Sequence, residues 1–296
     1  MGFLSAFFSG GVGFGVLSAL MGSTSTIFYR KAIAIWPYGR SSFVLFGNWI
    51  GTMMAIGILL FGNVNWGPDI EWYVVPVFLI LAFSMFHNGN RIMELNRNEK
   101  LSTLQIFGNI ATILTIVAGF FLYGKTSVYT LGIAILCGAI LFGTQFFEGG
   151  GFCPPKNWKP IVTTYLIGGI QSLAIVWMVA KIGYVGYFVI SSFAATITAV
   201  MVLLFQKKMG EAWLGTRQFY VYRTVDGVIF NSVRFIYFFL VGSLGPVVTT
   251  LLGMIGNITT LIFGRLFLGE KNSAKEWGIN ILLCVLVGLG FYLKDR

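Results

Sequence analysis

Charged residues are scarce in this chain of 296 residues, and acidic residues are scarcer than basic ones. Only 10% of the residues are Asp, Glu, Lys or Arg, and ten of them are acidic, whereas soluble domains average about 25% charged residues. An ordinary water-soluble enzyme is therefore not expected. The chain is instead 56% hydrophobic, with 29 Phe and 38 Gly, a composition typical of proteins with many membrane-crossing helices.

The chain also has few residues for metal or redox chemistry. His87 is the single histidine, and Cys137, Cys153 and Cys284 have no CxxC or Cys/His spacing, so neither a zinc site nor a disulfide framework is expected. Motifs of intramembrane enzymes, such as HExxH, GxSxG or paired Asp, are absent from the sequence. We therefore expect a protein that is not an enzyme and that binds no metal or cofactor.

The formal net charge is +10, yet the 20 Lys and Arg residues are scattered in ones and twos between apolar runs. A nucleic-acid surface needs clustered basic residues, so no nucleic-acid partner is expected. Loop charges of this kind set the orientation of a membrane protein.

Ten apolar segments follow one another along the chain, each of a length that crosses a bilayer as a helix. They are predicted near residues 9–29, 41–62, 73–93, 101–122, 127–147, 160–181, 184–205, 219–241, 245–268 and 277–293. The connections between them, such as Arg30 to Arg40, are too short for a separate domain. The sequence predicts an all-α membrane protein with ten transmembrane helices.

The two halves of the chain resemble each other. A shift of 143 residues aligns Asn88-x-x-Arg91 with Asn231-x-x-Arg234. A shift of 145 residues aligns three glycines of the fourth span with three of the ninth, namely Gly108, Gly119 and Gly124 with Gly253, Gly264 and Gly269. Because five spans is an odd number, we expect two inverted five-helix repeats, residues 1–150 and 151–296. Inverted repeats support alternating access around a central substrate site, so they predict a secondary transporter.

One motif resembles a known family. Residues 264–270 read GRLFLGE, with Gly245-Pro246 before them and Trp277-Gly278 after them. This arrangement resembles the closing helix pair of the ten-span, EamA-type members of the drug/metabolite transporter superfamily. The first half has a weaker counterpart in residues 119–125, which end in Lys125 where Glu is usual.

The resemblance extends over essentially the whole chain and implies a central cavity. It implies that the third, fourth, eighth and ninth spans line most of this cavity, together with the first and sixth. Small multidrug resistance relatives exchange protons for cationic drugs at a Glu in the first span. The first span here has no acidic residue, which disfavours that mechanism.

Polar side chains inside the spans are the candidate substrate-binding groups, because buried charges survive in a bilayer mainly where they line a cavity or are paired. Arg234 has Asn231 one turn before it, and together they could hold a carboxylate or polar group. The alternatives for Arg234 are a salt bridge with Asp226 or snorkelling to the interface. The full set of candidates is Asn88, Arg91, Asn109, Gln171, Trp177, Asn231, Arg234 and Asn257.

Some of these candidates have a purely structural alternative. Arg91 has Glu94 one turn away, which could neutralise it. Asn109 and Asn257 could form interhelical hydrogen bonds. His87 is a candidate for proton coupling because imidazole titrates near neutral pH, with simple packing as its alternative.

These features together predict a secondary active transporter of a small polar or amphipathic metabolite, namely an amino acid or a related organic acid. A coupling proton or an exchanged solute is left open as a further partner, beside the lipid bilayer. A sugar or polyol transporter of the same fold is the first alternative. A membrane scaffold without transport activity is the alternative from another class.

The location predicted is the cell membrane, with multiple crossings. The family resemblance implies that both termini are inside. That orientation would place four loop Lys and Arg residues inside and thirteen outside, with Arg223 counted among the thirteen. Because short cytoplasmic loops carry the excess of basic residues, the charge distribution favours both termini outside.

Overall fold

The computed structural model describes residues 11–62, 64, 74–123, 127–148, 151–152, 157–271 and 273–292. The first two residues of the first predicted span, the start of the third at residue 73, and the last residue of the tenth lie outside these ranges. So do Cys153 and the motif residues Gly124 and Lys125.

The described residues contain ten α-helices, one short 3₁₀ helix and one antiparallel pair of two-residue strands. The helices are α1 Val12–Ile35, α2 Arg40–Phe61, α3 Val74–Asn98, α4 Leu101–Tyr123, α5 Val128–Phe146, α6 Trp158–Ile182, α7 Tyr184–Phe205, α8 Arg217–Leu244, α9 Pro246–Leu268 and α10 Ala274–Tyr292. The strands are β1 Phe147–Glu148 and β2 Gly151–Phe152, and the 3₁₀ helix is Met209–Trp213.

Each helix coincides with one of the ten predicted segments. Among the described residues, five helices are long and apolar enough to cross a membrane: α2, α6, α7, α8 and the stretch Thr103–Leu122 of α4. The protein is therefore an α-helical, multi-pass membrane protein. Ten complete crossings and the inverted repeat stay predictions.

Helices α1 and α3 extend furthest beyond their predicted ends. Helix α1 continues to Ile35 through Arg30 and Lys31, which were expected in a connection, and α3 continues to Asn98. Charged side chains do not end a helix, whereas a proline disfavours helical backbone in the residue before it. Pro37 explains why α1 ends just before Trp36.

Single glycines connect two pairs of consecutive helices. Gly183 separates α6 from α7 with φ of 75°, and Gly245 separates α8 from α9 with φ of 82°. Side chains with a Cβ rarely adopt such positive φ angles, so glycine allows the sharp change of direction. Pro246 occupies the first turn of α9, where its missing N–H is not needed.

The chain forms two compact units. Unit 1 comprises residues 1–20, 99–173 and 243–296, and unit 2 comprises residues 21–98 and 174–242. Unit 1 contains α4, α5, α9 and α10, unit 2 contains α2, α3, α7 and most of α8, and α1 and α6 contribute to both. Each unit thus takes helices from both sequence halves, and the division into repeats at residue 150 stays a prediction.

In unit 1, the Gly269-Glu270 turn of the family-like motif has a capping role. Gly269 ends α9 in the left-handed conformation, and the N–H of Glu270 donates to the carbonyl of Gly264 over 3.2 Å. The Glu270 carboxylate oxygens accept from the N–H of Leu101 over 3.2 and 3.3 Å. A carboxylate at a helix start satisfies a free N–H and complements the helix dipole, so this turn joins α9 to the start of α4.

In unit 2, an aromatic cluster joins α1, α2 and α8. Trp36 stacks on Phe219 with ring centres 4.1 Å apart, and Phe43 lies edge-on to Trp36. All three side chains are buried, together with Ala32, Ile33 and Met93. Large buried aromatic rings contribute much of the packing energy of a helical core, so this cluster fixes one end of the unit.

Candidate functional site

The candidate site lies between α7 and α8 in unit 2. Arg234 donates from Nη2 to the hydroxyl of Ser191 over 2.9 Å and from Nη1 to Oδ1 of Asn231 over 3.2 Å. Its guanidinium carbon lies 5.7 Å from the ring centre of Phe188 and 5.5 Å from that of Phe238. The predicted pair of Asn231 and Arg234 is therefore brought together, between two aromatic faces that favour a cation.

Asn231 is itself held in place by backbone groups. Its amide donates from Nδ2 to the carbonyl of Gly227 over 2.7 Å. Helix α2 approaches closely at Gly51, where an added Cβ would lie 2.6 Å from Oδ1 of Asn231. A side chain with a Cβ at this position would displace Asn231, so glycine allows α2 to pack closely against the site.

Two polar atoms of this cluster are buried without a hydrogen-bond partner among the described residues: the hydroxyl of Tyr187 and Nε of Arg234. The Tyr187 ring is fully buried, 4.8 Å from the ring centre of Phe238 and 6.2 Å from that of Phe78. A buried donor without an acceptor costs about 1–3 kcal/mol. A ligand or water that brings acceptor oxygens would satisfy both groups.

The charge of Arg234 is not neutralised by any acid among the residues that the structure describes. Among the described residues, no ion pair joins Arg234 to a carboxylate, whereas Arg223 on the same helix pairs with Asp226. Asp226, the partner considered from the sequence, instead accepts from Arg223 and, over 2.6 Å, from the hydroxyl of Ser25. Arg234 therefore leaves a positive charge in the site.

Arg223 corrects the charge count made from the sequence. It was counted as a loop residue, but it lies in α8 and only 6% of it is exposed. Its guanidinium carbon lies 4.5 Å from the ring centre of Phe43 and 5.3 Å from that of Tyr29. An added Cβ on Gly47 would overlap the guanidinium. Arg223 is a buried charge paired with Asp226, so it does not belong in the count of loop charges that indicates the orientation of the protein in the membrane.

The other candidates of unit 2 lie on α3 and α6. Asn88 is buried, Arg91 and Trp177 are partly buried, and His87 is exposed. Glu94 pairs with Arg40 over 2.5 Å, and not with Arg91 as the sequence suggested. The roles of these residues in substrate binding, and of His87 in proton coupling, stay predictions.

Unit 1 holds the remaining candidates. Asn257 on α9 donates from Nδ2 to Oδ1 of Asn109 on α4 over 2.7 Å, and Asn109 donates to the carbonyl of Gln105 over 3.2 Å. These bonds are the interhelical alternative that the sequence left open. Gln171 is buried in the part of α6 that belongs to unit 1, whereas Trp177 belongs to unit 2.

Tyr187 and Ser191 were not predicted as site residues from the sequence. They lie four residues apart on α7, and hence on one face of that helix, but the family resemblance did not place the seventh span at the cavity. The polar pair Ser191-Ser192 within an apolar run was the available signal. Among the described residues, no group of three or more His, Cys, Asp or Glu side chains could hold a metal ion.

Comparisons with known proteins point to a membrane transporter. No known family profile matches the chain. A protein of Listeria monocytogenes serovar 1/2a, named "Putative sugar uptake protein", is 25% identical over 269 residues, which cover 85% of this chain and 88% of that protein. A solved crystal structure has the same fold with a TM-score of 0.64 at 13% identity, covering 94% of this chain and 98% of the other. Membership of the drug/metabolite transporter superfamily stays a prediction.

Proposed function

We propose that this protein is a secondary transporter of a small polar solute, and that the solute is a sugar or polyol. The observation that carries the proposal is the Arg234 cluster with its two unsatisfied buried donors. Such donors suit a ligand rich in hydroxyl oxygens, and the rings of Tyr187, Phe188 and Phe238 would pack against its apolar faces. The similarity to a protein named for sugar uptake supports this choice.

A carboxylate-bearing solute, such as an amino acid or organic acid, is the second candidate. The positive charge of Arg234 without an acidic partner favours it, because a guanidinium binds a carboxylate with two parallel hydrogen bonds. Both candidates use the same residues. They differ in whether the ligand carries a negative charge.

The proposed mechanism is alternating access by two inverted five-helix repeats, with ten crossings of the cell membrane. The membrane scaffold without transport is less well supported, because a scaffold has no use for buried donors without partners. A coupling proton, with His87 as its candidate carrier, and an exchanged solute belong to the same proposal.

The proposal is tested by counterflow in proteoliposomes made with purified protein. Vesicles are preloaded with unlabelled solutes and offered a labelled hexose, pentose, polyol, amino acid or dicarboxylate, with protein-free vesicles as the control. We expect a labelled sugar or polyol to accumulate, with no competition from excess carboxylate. Accumulation of a carboxylate would support the second candidate. If folded protein accumulates none of them, the transport proposal is wrong.

A further inference from the structure

Basic side chains gather at one end of unit 2. This basic end comprises the end of α1, the start of α2, the end of α3, and the segment from α7 to α8. Seven of its side chains are basic and two are acidic: Arg30, Lys31, Arg40, Arg97, Lys207, Lys208 and Arg217 against Glu94 and Glu211. The basic end thus has an excess of five positive charges.

Hydrogen bonds and ion pairs join these segments. Arg97 donates to the carbonyl of Trp36 over 2.9 Å, which links α3 to the end of α1. The N–H of Gly39 donates to Glu211 over 3.4 Å, which links the start of α2 to the 3₁₀ helix. Lys208 lies 3.8 Å from the same carboxylate. The charges therefore belong to one surface.

Both acids of the basic end already have partners. Glu94 pairs with Arg40, and Glu211 is engaged by Gly39 and Lys208. Lys207 and Arg217 are exposed. Because Glu94 and Glu211 are paired with other groups, neither neutralises Lys207 or Arg217, and this surface has a net positive charge.

The segment between α7 and α8 also has the residue types of a membrane interface. Phe205, 83% exposed at the end of α7, is followed by Lys207 and Lys208, and the exposed Trp213 and Leu214 come shortly after. Tryptophan beside basic residues is typical of the headgroup region. Lys207 has a φ of 54°, at a position after a helix where glycine is usual. This left-handed backbone conformation is unfavourable for a residue with a side chain, yet a basic residue occupies the turn.

We propose that the basic end of unit 2 binds the phosphate of anionic phospholipid headgroups, with Lys207, Lys208 and Arg217 as the main contacts. The exposed apolar side chains beside them would lie at the level of the acyl chains. An anionic leaflet attracts each nearby basic residue, and the attraction is screened by salt. The connection between α2 and α3 carries Asp69 and Glu71 and no Lys or Arg, so the charge differs between the two ends of α2.

The test is a thermal unfolding assay of the detergent-solubilised protein with added lipid. We expect phosphatidylglycerol to raise the Tm, while phosphatidylcholine and glycerol 3-phosphate at equal concentration do not. The shift should shrink between 50 and 500 mM NaCl, roughly a threefold decrease in screening length. Equal shifts from phosphatidylcholine would refute a charge-based site, and an equal shift from glycerol 3-phosphate would identify a free phosphate as the ligand instead.

Two matched triple variants locate the contact. Lys207→Gln/Lys208→Gln/Arg217→Gln removes three charges from the basic end, and Lys159→Gln/Lys271→Gln/Lys275→Gln removes three exposed charges from unit 1. We expect the first to weaken phosphatidylglycerol binding about a hundredfold and the second to change it less than threefold. An equal loss in both, or none in the first, would overturn the assignment. The salt dependence is measured on the unmodified protein, so this part of the test does not depend on whether a variant folds.

Discussion

Arg223 and Arg234 lie eleven residues apart on α8, on nearly the same face of the helix, and of the two only Arg223 has a carboxylate partner in the described part of the chain. Eleven residues make about three helical turns. Asp226 neutralises Arg223 within the core of unit 2, whereas Arg234 is held by the neutral groups of Ser191 and Asn231. The two charges therefore have different consequences: the first supports the fold, and the second is available to a solute.

The substitution Asp226→Asn should destabilise the protein strongly. It leaves Arg223 as a buried charge without a carboxylate, which costs about 3–5 kcal/mol. Denaturant unfolding in mixed micelles measures the free energy of unfolding. A loss below about 1 kcal/mol would contradict the pairing.

The double variant Arg223→Met/Asp226→Asn provides the control for this pair. Because it removes both charges, we expect it to recover most of the stability that Asp226→Asn loses. The double-mutant cycle then isolates the interaction of the two residues. Additive losses would mean that they do not interact in the folded protein.

Gly51→Ala should disturb the site through packing. The new Cβ would lie 2.6 Å from Oδ1 of Asn231, so that side chain must move and its bond to Arg234 is strained. We expect a loss of about 1–3 kcal/mol in stability and slower transport in the counterflow assay.

Gly57→Ala on the same helix is the matched control for Gly51→Ala. No atom of the described residues lies within 4 Å of a Cβ at Gly57, so we expect unchanged transport and up to about 1 kcal/mol of added helix stability. Equal effects of the two substitutions would show that the close approach of α2 at Gly51 has no role.

Substitutions of Asn109 and Asn257 should lower the stability of the protein and leave its affinity for the transported solute unchanged. Interhelical hydrogen bonds in membranes contribute about 0.6 kcal/mol on average and up to about 1.7 kcal/mol. A double-mutant cycle with Asn109→Ala and Asn257→Ala should give a coupling energy in this range, while the KM for transport stays within about twofold. A large change in KM at unchanged stability would instead identify these amides as substrate ligands.

Most of the helical architecture could be predicted from the sequence because apolar runs of membrane length are long and are ended by charge, Pro or Gly. The position of each of the ten helices was predicted, and the main errors are at the ends of α1 and α3. There the prediction stopped near charged residues, although Arg30 and Lys31 are compatible with helix. The helix ends instead where Pro37 restricts the backbone.

The site could be predicted only in part. The spacing of Asn231 and Arg234 places both on one side of a helix, so their contact was predictable. Which of the two arginines, Arg223 or Arg234, pairs with Asp226 depends on side-chain rotamers and on the neighbouring helices. Sequence spacing determines neither of these. Tyr187 and Ser191 belong to a different helix, and their contact with α8 is a tertiary relationship that no local pattern contains.

The central claim is that Arg234 binds the transported solute, and the most direct test is the KM for transport in Arg234→Gln. Arg265→Gln, at an exposed position near the end of α9, is the matched control. Loss of a charge-assisted hydrogen bond costs about 1.5–3 kcal/mol, so we predict a KM about 10–150-fold higher for Arg234→Gln and an unchanged KM for Arg265→Gln. A KM for Arg234→Gln equal to that of the unmodified protein, measured on folded protein, would contradict the account.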